Sequence, residues 1–98
     1  MKRLTIMELL QEGVENAISA EEMAKYYHCN RRNITRTIHN LRAKGEVILS
    51  NNIGRTYGYY LPADRAEVER FAKTMHSRLK QIKLATLSAE KYLSEVNQ

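Results

Sequence analysis

The strongest constraint on this chain is a pattern that occurs three times: a serine, threonine or aspartate followed three positions later by glutamate. Thr5 with Glu8, Ser19 with Glu22 and Asp64 with Glu67 each have the form of a capping box. In such a box the first side chain accepts from the backbone N–H of the third helical residue, and the glutamate reaches back to the cap. Helices are therefore expected to begin at Ile6, at Ala20 and just after Asp64. Leu4 and Leu9, then Ile18 and Met23, flank the first two boxes as hydrophobic staples. Gly13 stops the first helix, and Val14 to Ile18 reads as a loop with one short strand that pairs elsewhere.

Between the second and third boxes the pattern changes twice. Ala20, Met23, Ala24 and Tyr27 give the second helix one narrow apolar stripe. Asn30 then caps a further helix that runs to Lys44 and ends at Gly45. Ile34, Ile38 and Leu41 are its only strong apolar positions and cluster within about 60° of arc. Arg32, Arg36, His39 and Asn40 fall on the far side, with Asn33 at one edge. So thin a buried stripe and so broad a face of hydrogen-bond donors are unusual for a helix central to a small domain. Val47-Ile48-Leu49 and the run from Thr56 to Tyr60 are β-prone and separated by Asn51, Asn52 and Gly54. They read as a hairpin with Arg55 near its tip and Pro62 as its end.

Charge adds a second constraint. The net charge of +5 lies entirely between residues 31 and 55, where Arg31, Arg32, Arg36, Arg42, Lys44 and Arg55 face one acid, Glu46; the rest of the chain is balanced at ten of each sign. A localised excess of this kind is a footprint for a polyanion. No apolar run approaches membrane-spanning length, and Glu8 and Glu12 follow Met1-Lys2-Arg3 too soon for a signal-peptide core. Cys29, the only cysteine, excludes an intramolecular disulfide and a multi-cysteine zinc site. The expectation is a cytoplasmic protein with no membrane partner.

Helix, helix, turn, helix and hairpin, in that order, resemble the winged helix-turn-helix plan of small bacterial and phage regulators. Ser19-Ala20-Glu21-Glu22-Met23-Ala24 is similar to the first helix of the motif, and Asn30-Arg31-Arg32-Asn33-Ile34-Thr35-Arg36 to the start of the recognition helix. Leu41 to Ile48 looks like the exit into the wing, and Gly58-Tyr59-Tyr60-Leu61 like the returning wing strand. The resemblance covers residues 4 to 62. It departs from the family pattern at His28, where glycine is usual in the turn, and at Cys29, where an aliphatic residue is usual. Histidine can take up the left-handed conformation such a turn needs, and cysteine can bury as a small hydrophobe.

The fold class expected is thus mainly α with a small β-hairpin: a winged helix-turn-helix domain over residues 1–62, then a long C-terminal helix over 63–98. The resemblance implies double-stranded DNA as partner, with helix 31–44 in the major groove. Arg32 and Arg36 can each fork to a guanine, and Asn33 or Asn40 can pair with an adenine edge. Arg31, Arg42 and Lys44 suit phosphates, as does His39; Arg55 suits a phosphate or a minor groove. Thr35 completes the candidate DNA-contacting set.

From Val68 a different period takes over. Val68, Ala72, Met75, Leu79, Ile82, Thr86, Ala89, Leu93 and Val96 alternate in steps of four and three, the 3.5-residue repeat of a coiled-coil seam. Thr86 and one of the alanines are its weak positions. A stripe of that length needs a partner, and the expectation is a homodimer. The competing expectation is a helix that breaks near Thr86, with Ser88 capping a new one, because Leu84 and Leu87 lie off the seam. In a parallel dimer Arg78 and Lys83 would meet with like charge.

Other chemistry is weaker. His28, His39, His76 and Cys29 lack metal-ligand spacing, so neither metal nor cofactor is expected. Ser88 and Lys91 sit one turn apart as in serine–lysine hydrolases, but without a glycine-rich oxyanion loop no enzyme is expected. Tyr26, Tyr57, Tyr59 and Tyr60 suit strands and a small core better than base stacking. Against a dimeric, sequence-specific DNA-binding regulator stand two alternatives. One is a phage-type protein-interaction module, an inhibitor or replication accessory, that uses the winged fold; the other is an architectural DNA binder without sequence preference.

Overall fold

Each helix begins at the capping side chain expected for it. The structure, a computed structural model, describes residues 3–52 and 57–96. It contains α1 (Ile6–Leu9), a 3-10 turn (Val14–Asn16), α2 (Ala20–Tyr27), α3 (Arg31–Ala43), β1 (Leu49–Asn51), β2 (Gly58–Tyr60) and α4 (Arg65–Val96). It is the winged helix-turn-helix arrangement: mainly helical, with one antiparallel hairpin after the third helix. Two units are distinct, Met1–Val68 and Glu69–Gln98. Among the described residues no helix is long and apolar enough to cross a membrane.

The caps differ in detail. At Thr5 the box is complete: the hydroxyl oxygen accepts from Glu8 N–H at 3.2 Å and the Glu8 carboxylate from Thr5 N–H at 2.9 Å. At Ser19 the oxygen accepts from Glu22 N–H, but the Ser19 hydroxyl then donates to the Glu22 carboxylate rather than leaving it to the Ser19 amide. The wing backbone at Gly58 covers that amide; a Cβ there would come within 2.7 Å of it. Asn30 Oδ1 accepts from Asn33 N–H at 2.9 Å. At the head of α4, Asp64 accepts from Glu67 N–H, while the buried Glu67 carboxylate accepts from Ala63 N–H at 2.9 Å and Val14 N–H at 3.1 Å. Glu67 thereby fastens the start of α4 to the segment after α1.

α1 stops at Leu9 instead of continuing toward Gly13. Leu10 is buried and extended, and the chain beyond it pairs with the wing: Leu61 N–H donates to Gln11 O and Gly13 N–H to Leu61 O. Two backbone bonds to a strand compete successfully with one more helical turn. The strand expected between Val14 and Ile18 reduces to Ile18, which exchanges both backbone hydrogen bonds with Tyr59 at 2.8 and 2.9 Å. β2 is thus paired on two sides, by β1 (Leu49 opposite Tyr60, Asn51 opposite Gly58) and by Ile18. β1 starts later than expected, at Leu49, because Gly45 and Glu46 close α3 in a Schellman turn: Gly45 N–H donates to Arg42 O and Glu46 N–H to Leu41 O. Val47 is left outside the strand and half exposed.

Ile6, Leu10, Ala20, Met23, Ala24, Ile34, Ile38 and Ile48 form the core. Ala20 and Ala24 of α2 are buried in this core, α2 packs on α3, and Cys29 packs against the same cluster. His28 takes the left-handed conformation, φ 55° and ψ 46°, and its neighbour Cys29 donates N–H to Ala24 O at 3.0 Å. The histidine thus stands in for the usual glycine.

Candidate nucleic-acid interface

α3 owes its one-sided character to three residues. Ile34 and Ile38 are buried, at 3% and 1% exposure, and Leu41 is half-buried. Opposite them Arg32, Asn33, Arg36, His39 and Asn40 are all exposed. Neither Arg32 nor Arg36 forms a side-chain hydrogen bond or ion pair with any other described residue. Two guanidinium groups one turn apart, on a helix held from behind by isoleucines, are free to meet an external partner. Thr35 is half-buried and its hydroxyl donates to Arg32 O at 3.0 Å. Lys44 is exposed at the helix end.

Arg31 is partly engaged. It reaches Glu21 on α2 at 3.5 Å and donates to the Tyr57 hydroxyl at 3.3 Å, yet remains 58% exposed. A pair so open to water holds the side chain weakly. Tyr57 and Glu21 are contacts that sequence reasoning missed; they join residues ten and twenty-six positions apart, and no local pattern signals them. A hollow of mixed lining lies beside this cluster, bounded by Ala20, Arg31, Ser50, Asn52, Tyr57 and Tyr59 among others.

Arg42 is placed differently from its expected phosphate role. Its guanidinium turns back into the wing, donating to Ile48 O through two nitrogens at 2.9 and 2.6 Å, and lies 5.8 Å above the centre of the Tyr59 ring. Removal from water lowers its pKa from the ordinary arginine value, with Tyr59 acting weakly in the opposite sense. This side chain braces the junction of α3 and the hairpin. Arg55, the expected wing contact, lies outside the described residues.

Of the tyrosines weighed for base stacking, Tyr59 is half-buried, whereas Tyr26 and Tyr57 are exposed. Tyr60 is buried. Tyr26 and Tyr27 meet edge to face at 4.8 Å and bracket Leu4, whose N–H donates to Tyr26 Oη and whose carbonyl accepts from Tyr27 Oη. Burial raises the Tyr27 pKa. Ser88, in the candidate serine–lysine pair, donates its hydroxyl to Leu84 O at 3.1 Å. No three His, Cys, Asp or Glu side chains converge as metal ligands among the described residues.

In the second unit α4 runs unbroken to Val96, so the expected alternative of a break near Thr86 is not realised. Thr86 and Ser88 both return their hydroxyls to carbonyls four residues back, within the helix. Of the candidate dimerisation residues, Val68 and Met75 are half-buried, whereas Ala72, Leu79, Ile82, Ala89, Leu93 and Val96 are exposed.

A family model described as an HTH domain matches residues 2–60. No curated protein and no solved structure matches the chain.

Proposed function

This chain belongs to the helix-turn-helix (HTH) domain family, a family of non-enzymatic DNA-binding domains, and from that premise we propose that it is a dimeric, sequence-specific transcription regulator. The observation that carries the reading is the exposed pair Arg32 and Arg36 on the face of α3 opposite buried Ile34 and Ile38. A thirteen-residue helix is about 20 Å long and fits the major groove with its N-terminal residues nearest the base edges. Each arginine can donate two hydrogen bonds to the O6 and N7 of a guanine, while Asn33 or Asn40 can pair with adenine.

Arg31, His39 and Lys44 would position the helix by phosphate contacts that carry no sequence information. Arg55 would add a wing contact. Arg42 is assigned to the scaffold, since its charge is already committed to Ile48 O. Residues 1–62 supply the DNA-binding domain and residues 63–98 the dimerising helix, whose first turn also serves the domain through Glu67. A two-fold dimer presents two copies of α3 to a palindromic site.

Selection of bound fragments from a random duplex pool tests this reading. An enriched palindrome is the expected result. Absence of DNA retention at low salt would contradict it and favour an acidic protein groove as the partner of the basic face; retention without enrichment would favour an architectural role.

A further inference from the structure

Along α4 the apolar stripe faces solvent: Leu79 and Ile82 are each 63% exposed, Leu93 57% and Val96 55%. The charges beside it are distributed unevenly. Residues 69–83 hold Arg70, Lys73, Arg78, Lys80 and Lys83 against Glu69, whereas residues 84–96 hold Glu90 and Glu95 against Lys91. At 100° per residue Lys83 and Glu90 flank the stripe on the same edge, and Lys91 lies on the far face. One half of the seam is therefore edged by a cation and the other by an anion.

We propose that this stripe docks a second copy of the chain running antiparallel, about a two-fold axis between Leu87 and Ser88. The proposal rests on the dimer reading above and supplies its orientation and register. In this register Leu79 packs on the partner's Val96, Ile82 on the partner's Leu93 and Thr86 on the partner's Ala89. Large side chains meet at both ends of the overlap, and small ones meet at its centre, where the two backbones can approach closely. Thr86, a weak position of the repeat, thus falls where a small residue is wanted.

The same register sets Lys83 beside the partner's Glu90 and Glu90 beside the partner's Lys83, each pair within about two residues, or 3 Å, along the axis. Other arrangements lose this match. A parallel pair brings Lys83 to the partner's Arg78. An antiparallel pair slipped by one heptad opposes Lys83 to its own copy. Exposed pairs are individually weak, but both of these alternatives replace two attractions by repulsion, and so charge favours the antiparallel register.

Sedimentation equilibrium of the full chain at low salt tests the proposal through exposed residues whose replacement leaves the helix intact, as circular dichroism verifies. Lys83→Glu should weaken self-association about tenfold or more, and Lys83→Glu with Glu90→Lys should restore it to within about threefold. A dimer that Lys83→Glu leaves unchanged or tightens overturns the antiparallel arrangement while leaving dimerisation standing. A wild-type chain that stays monomeric at tens of micromolar (a rough working range) overturns both. The register has its own readout in chains carrying Cys29→Ser. Oxidising a mixture of Ile82→Cys and Leu93→Cys chains should link each to the other and neither to itself; self-linked dimers overturn the register.

Discussion

The Arg42 guanidinium and the Ile48 carbonyl are joined by two hydrogen bonds, at 2.9 and 2.6 Å, across the turn between α3 and β1. Ile48 is buried, so its carbonyl has no ready substitute in water. Charge-assisted bonds of this kind contribute about 1.5–3 kcal/mol. Arg42→Ala is therefore expected to lower stability by about 2 kcal/mol in urea unfolding. Arg42→Lys should recover less than half of that, because an ammonium cannot supply the fork. Full recovery by lysine would show that charge alone matters there.

Gly58 lies against the backbone of Ile18, where a Cβ would come within 2.4 Å of the carbonyl carbon and oxygen. Its φ of 135° also disfavours any L side chain. Gly58→Ala must push apart the Ile18–Tyr59 pairing, and should cost about 3 kcal/mol or more. Thermal unfolding of the variant measures this; a melting temperature within error of wild type would mean that Gly58 does not hold β2 against Ile18.

His28 is exposed and left-handed. Glycine there would relieve about 1–2 kcal/mol of backbone strain and give back part of it to the unfolded chain's entropy. His28→Gly should accordingly raise stability by about 0.5–1 kcal/mol, read from the shift in urea midpoint at constant slope. A loss of stability would mean that the imidazole contributes a contact outweighing the strain.

The Glu8 carboxylate has its pKa lowered, first by the backbone hydrogen bond from Thr5 and then by the Thr5 hydroxyl. Because the folded value lies below the unfolded one, this cap is fully stabilising above the unfolded pKa and is lost as pH falls through the folded value. Stability should decline on acidification below about pH 4.3, the ordinary glutamate range, and Glu8→Gln should flatten that limb. An NMR titration placing Glu8 at or above the ordinary value would contradict the cap.

Much of this architecture was legible in the sequence because helix capping is local. Thr5, Ser19, Asn30 and Asp64 mark helix starts through bonds only three residues long. The one-sidedness of α3 was likewise legible, since Ile34 and Ile38 follow the helical period. Longer-range contacts were not. The early stop of α1 depends on Leu61 bonding to Gln11, and the inward turn of Arg42 depends on where β1 places Ile48 O. By composition Arg42 is one more cation in a basic stretch. Only the fold separates it from Arg32 and Arg36.

That separation leads to the most direct test of the account. Binding of Arg32→Ala, Arg36→Ala and Lys44→Ala chains should be titrated on selected and on random duplex DNA across a salt series. Each arginine change should cost about 1–3 kcal/mol on the selected site and relax preference at one base pair per half-site. Lys44→Ala should weaken binding equally on both DNAs and flatten the salt slope by about one unit per phosphate contact removed. Equal losses on both DNAs for the arginine variants, or unchanged affinity in folded chains, would contradict the claim that α3 reads bases.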